Sequence, residues 1–131
     1  MKRHQLAFGL LILAQALHSI EEYVGRLWAS FPPADFVSGL VSQDRELGFL
    51  LLNVALVTFG TWCYLVPIRR RWPSATGITL GWSLVELING VGHPLWSLRQ
   101  GGYTPGLATA PVLLVLAISL IVRTRAIRDL P

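Results

Sequence analysis

Leu17-His18-Ser19-Ile20-Glu21-Glu22-Tyr23 puts one imidazole and two carboxylates at the end of an apolar run that begins at Leu6. Ionisable side chains are costly inside apolar helices, so their presence there demands partners. His18, Glu21 and Glu22 follow i, i+3, i+4 spacing, which predicts that they share one helix face. A second run, Trp82 to Leu98, carries Glu86, Asn89 and His93 at i, i+3, i+7. The two stripes are expected to meet inside a small membrane bundle and to build one polar site.

Composition agrees with a membrane setting. The chain has 131 residues, 53% hydrophobic and only 14% charged, with a mean hydropathy of +0.54. Soluble domains carry about 25% charged residues. The length suits a single domain, residues 1–131. One cysteine, Cys63, excludes a disulfide framework and a cysteine-rich zinc site. The net charge of +4 is placed at helix ends beside apolar runs, as topology determinants are. No basic face is interleaved with aromatics, which argues against a nucleic-acid partner.

Outward from the opening stretch, four spans are predicted at about 5–24, 47–67, 75–98 and 107–122. Each approaches the roughly 20 residues that cross the hydrocarbon core. The first is too long for a signal-peptide core and ends in His18 and the glutamates rather than a cleavage site. Gly25 to Glu46 is a polar connection in which Ala34 to Val41 is expected to lie on the interface. Pro94 in the third span predicts a kink that frees the Gly90 carbonyl. Arg99 to Gly106 reads as a turn, and Pro111 falls in the first turns of the last span. Arg123, Arg125 and Arg128 end that span. Lys2, Arg3, Arg69, Arg70, Arg71, Arg123, Arg125 and Arg128 then share one side, which is eight of the eleven basic residues. The positive-inside rule places both termini in the cytoplasm. The fold class is thus all-α: an integral membrane four-helix bundle, multi-pass in the inner (plasma) membrane.

Depth counting brings the polar groups to one level. At ~1.5 Å per residue, His18 lies roughly 20 Å from the cytoplasmic entry at Gln5, and Glu21 and Glu22 roughly 24 Å. On the third span Glu86, Asn89 and His93 lie roughly 16, 21 and 27 Å across. Asn53, on the descending second span, is also about 21 Å from the cytoplasmic side. All share the outer half, with Tyr103, Thr104 and Thr109 at the mouth.

His18-Ser19-Ile20-Glu21-Glu22, Asn89-Gly90-Val91-Gly92-His93 and Tyr103-Thr104-Pro105-Gly106 together resemble the motifs of the uncharacterised bacterial HxxEE-motif membrane protein family. The resemblance spans most of the chain. It implies an integral membrane protein and names no reaction.

The residue inventory supports three chemistries. His18, Glu21, Glu22, Glu86 and His93 are candidate ligands for a divalent metal, and imidazole with carboxylate suits zinc, iron or manganese. The same five are candidate acid–base groups for metal-free catalysis on a lipid-soluble substrate. A Glu/His chain also fits a proton- or ion-coupled transporter, though the cytoplasmic halves of the spans read as almost wholly apolar. Asn53, Asn89 and Tyr103 are the candidate substrate-orienting groups. Structural readings stand beside these. Glu22 and Arg26 have the i, i+4 spacing of a surface ion pair. Asn53 and Asn89 have the chemistry of helix-to-helix bonds. A structural membrane subunit with a polar core is the remaining alternative. Four short helices bury little surface alone, which leaves room for a homo-oligomer.

Overall fold

The computed structural model describes residues 2–128, so Met1 and residues 129–131 of the expected domain lie outside the described residues. Among the described residues every element is helical. The order is α1 (Lys2–Val24), α2 (Leu27–Ser30), α3 (Pro32–Val41), α4 (Arg45–Cys63), α5 (Ala75–Gln100) and α6 (Ala110–Arg128). The expected interfacial segment is α3, which starts two residues earlier than predicted because Pro32 and Pro33 occupy its first turn. The short α2 was not anticipated. α6 begins at Ala110 rather than 107, because residues 104–109 are committed to a loop that serves the site.

Pro67 leaves its mark at the end of α4. The chain continues as a single π-helical segment, Tyr64–Ile68, with Arg69 N–H bonded to the Tyr64 carbonyl at 3.1 Å. A proline that offers no N–H forces such a local widening. Where this segment ends, the side chain of Gln5 donates to the carbonyls of Ile68 and Arg69 at 3.1 and 3.3 Å. Pro94, by contrast, does not break α5, which runs without interruption from Ala75 to Gln100.

α6 packs against both α1 and α5, most extensively against α5. Gly90 permits that approach: a Cβ there would lie 2.7 Å from Leu114 Cβ. α3 folds back on α4, closed by Arg45 Nε donating to Asp35 at 2.9 Å. α1 and α5 meet mainly through large side chains that bridge the space between them.

The packing is inverted relative to a water-soluble bundle. The interior holds Gln15, His18, Ser19, Glu22, Thr79, Ser83, Glu86 and His93, all buried. The outer faces of α1, α5 and α6 carry exposed Leu6, Leu10, Leu13, Leu17, Leu84, Ile88, Leu95, Val115 and Val122. Two apolar clusters bracket the polar interior. Phe8, Leu11, Cys63, Trp82 and Leu120 form one. Leu27, Trp28, Ala34 and Phe49 form the other. Of the four expected spans, only Arg45–Ile68 is long and apolar enough by itself to cross a membrane among the described residues. α1 and α5 spend part of their length on Gln15, His18, Glu21, Glu22, Glu86, Asn89 and His93, and α6 carries arginines.

Candidate functional site

His18 and Glu22 are one turn apart on α1 and therefore point the same way. Their atoms approach to 3.3 Å (Nε2 to Oε1). His93 arrives from α5, and its Nε2 lies 3.0 Å from the same Glu22 oxygen. The two imidazoles meet edge to face with centroids 4.6 Å apart. His18 Nε2, His93 Nε2 and a Glu22 oxygen all fall within 4.8 Å of one another, and all three residues are buried.

The outer nitrogens of the two rings fix what the inner ones offer. His93 Nδ1 lies 2.8 Å from the Pro105 carbonyl. A carbonyl only accepts, so Nδ1 carries the proton. The Thr109 hydroxyl donates to Glu21 Oε2 at 2.6 Å. Its oxygen therefore accepts from His18 Nδ1, also at 2.6 Å. In neutral rings both Nε2 atoms then present lone pairs toward a carboxylate. Three acceptors converge on one point, and His18 Nε2 has no hydrogen-bond partner. Such an arrangement is able to hold a metal ion. Two ligands of a tetrahedral ion, each ~2.0–2.1 Å from it, sit about 3.3 Å apart, close to the spacings seen here. The bonds from Nδ1 to Pro105 and Thr109 are the outer contacts that orient metal-bound histidines.

Glu21, expected with the ligand or acid–base groups, is not among the three converging residues. One residue along the helix from Glu22, it turns toward the α5–α6 loop. Its Oε1 accepts from Tyr103 hydroxyl at 2.6 Å and from the N–H groups of Gly106 and Ala108 at 3.1 and 2.9 Å. Its Oε2 accepts from the N–H and hydroxyl of Thr109. Those bonds use its acceptor capacity and pin the loop over the histidines.

Tyr103, expected to orient substrate, is tied to the same carboxylate. Its hydrogen bond to the Glu21 carboxylate, reinforced by that charge, pushes the phenol up to about 12. This value exceeds the ordinary ~10, so the bond is complete below pH 10 and is lost as pH rises through the folded value. Absorbance titration should show the phenol lost in Tyr103→Phe to be one that ionises above pH 11 in wild type; a phenol lost instead from the ordinary range near pH 10 would contradict the bond.

Gly106 completes the loop. Its φ of 92° is one that L side chains rarely adopt, and a Cβ there would press on His93 and lie 2.9 Å from His18 Cε1. The Tyr-x-Pro-Gly segment is thus a turn whose carbonyl and bare glycine shape the histidine pair.

Glu86 is fully buried but stands apart from the three converging atoms. Asn89 Nδ2 donates to its Oε2 at 3.1 Å. In the amide orientation that satisfies both neighbours, Gln15 donates to the two Glu86 oxygens at 2.9 and 2.7 Å and accepts from Ser19. Glu86 is therefore held by neutral amides beside the cluster. Asn53, expected to face the same site, points elsewhere. It donates to the Phe49 carbonyl at 3.1 Å and lines a separate apolar groove between α1 and α4 with Ala16, Ile20 and Val57. The alternative ion pair between Glu22 and Arg26 does not form: Arg26 leaves the helix at φ 55° and lies 6.0 Å over Trp28.

Sequence reasoning missed Gln15, Ser83 and the Pro105 carbonyl. Gln15 was visible as the residue one turn before Ser19 in the same polar stripe. A backbone carbonyl leaves no trace in a side-chain inventory.

No curated protein matches this chain, and no solved structure matches it. A family model described as "Protein of unknown function with HXXEE motif" matches residues 9–122. The histidine and second glutamate of that motif are the α1 half of the converging cluster, and its first glutamate anchors the loop. The chain is a member of the HXXEE-motif family.

Proposed function

We propose that this protein is a four-span membrane metalloenzyme whose ion is held by His18, Glu22 and His93 and whose substrate is a small lipid-soluble molecule. The observation that carries the reading is the convergence of two imidazole lone pairs and a carboxylate on one buried point. Three protein ligands leave a position for water or substrate, the pattern of catalytic rather than structural zinc sites. Iron and manganese suit the same donors. Glu86 and Asn89 stand beside the ion as groups that move protons or orient the substrate. The exposed apolar faces and polar interior support a multi-pass inner-membrane location with both termini cytoplasmic. The lipid bilayer is the proposed surrounding partner, and the α1–α4 groove leaves a face on which a second copy can pack.

Proton-coupled transport is the second reading. Thr79, Ser83 and Glu86 line the buried face of α5 on the cytoplasmic side of His93, with Gln15 opposite. This part of the interior is more polar than the sequence predicts, and a buried polar file is what a proton path requires.

Elemental analysis of protein purified in mild detergent without chelator tests the metal. Wild type is expected to carry near-stoichiometric divalent metal, and a His18→Ala, His93→Ala double variant none. Equal metal content in the two would sink the proposal.

A further inference from the structure

Beside the cluster lies a pocket of about 110 Å³ lined by Phe31, Ile88, Asn89, Gly92, His93 and Trp96. Its wall includes His93, one of the three converging residues. We infer that this pocket receives the reacting head of the substrate, and that the head is a small carbonyl group (amide, ester or acid) at the end of an apolar chain. The inference rests on the metalloenzyme reading and deepens it.

Size comes first. At about 110 Å³ the pocket is smaller than the roughly 150 Å³ cavity that takes up a benzene ring, and it suits a group of a few heavy atoms. Polarity comes second. Trp96 lines the wall, and its indole N–H, buried behind the pocket surface, has no acceptor among the described residues. An indole is a donor only. The ring itself is fixed, with Phe31 against it at 5.0 Å and Arg99 over it at 5.9 Å. A metal acting as Lewis acid likewise selects an oxygen lone pair. Both features ask for an oxygen acceptor. The surroundings come third. Ile88 and Gly92 are exposed at the rim, and Val91 and Leu95 continue that face as apolar surface. A chain attached to the head can lie along it in the bilayer.

Gly92 offers a clean test, because a Cβ there meets nothing within 4 Å. Gly92→Leu should fill the pocket without disturbing α5. Wild type, Gly92→Leu and Trp96→Phe are loaded with Co(II), and bound cobalt is counted. Each is then titrated calorimetrically in the same micelles with octanohydroxamic acid and with octanamide, so that partitioning cancels. The expected result is full cobalt in all three. Both probes should bind wild type and bind Gly92→Leu at least about tenfold more weakly. Losing one hydrogen-bond donor in Trp96→Phe should weaken octanamide by up to about tenfold. Absence of binding to wild type, or binding unchanged by Gly92→Leu, overturns the inference. Failure of the metal reading shows separately: no cobalt in wild type, with octanamide still bound in a Gly92-dependent way, removes the metal and keeps the pocket.

Discussion

Glu22→Gln is expected to weaken divalent-metal binding by more than about 100-fold, beyond the 10–100-fold cost of losing an outer-sphere partner, while leaving the metal-free protein as stable as wild type or more so. The two halves have one cause. Glu22 is the only carboxylate among the three converging residues, and a neutral amide oxygen holds a divalent cation less tightly than a charged carboxylate does. In the metal-free protein, however, the Glu22 oxygen faces nitrogens at 3.3 and 3.0 Å whose protons are committed elsewhere. Glutamine brings an N–H to that point and gains a hydrogen bond of about 1 kcal/mol. A structural ion pair between Glu22 and an imidazolium gives the opposite sign, because removing one partner strands a buried charge at a cost of about 3–5 kcal/mol. Metal titration together with thermal melts in chelator separates the two. Unchanged affinity with a sharply lowered melting temperature would replace the metal site by a structural polar core.

Gly106→Ala is expected to abolish metal binding and to destabilise the fold by about 2–4 kcal/mol, combining backbone strain with overpacking. The residue sits at φ 92°, and an added Cβ meets both histidine rings. The rings cannot retreat freely, since Pro105 and Thr109 hold their outer nitrogens. A metal site tolerates displacements of only about 0.5 Å. Gly102→Ala is the control: it lies in the same loop, has no positive φ, and a Cβ there meets nothing within 4 Å. It should bind metal as wild type does. Normal metal content in Gly106→Ala would show that the loop does not position the histidines.

The meeting of the two polar stripes was legible from the sequence: α1 and α5 were expected to face one another, and the His18 and His93 rings are in contact. Their register was less legible, since counting helical rise set His93 about 7 Å beyond His18. Helical phase was legible only to within one residue. Glu21 and Glu22 look equivalent in the sequence, yet about 100° of rotation sends one to the histidine pair and the other to the loop. What captures Glu21 is a set of backbone N–H groups at 106, 108 and 109, which no side-chain pattern reveals. Asn53 shows the same limit from the other side: α4 turns it toward the groove and its own helix. The helices themselves followed from apolar run lengths. The exceptions were α2, four residues long, and the late start of α6, both set by loop contacts rather than by local pattern.

X-ray absorption at the edge of the bound metal tests the three-residue centre most directly. The account predicts two imidazole shells with metal–nitrogen distances of ~2.0–2.1 Å, oxygen in the remaining positions, and one imidazole fewer in His93→Ala. Sulfur from Cys63 in the first shell, or a spectrum that His93→Ala leaves unchanged, would contradict it.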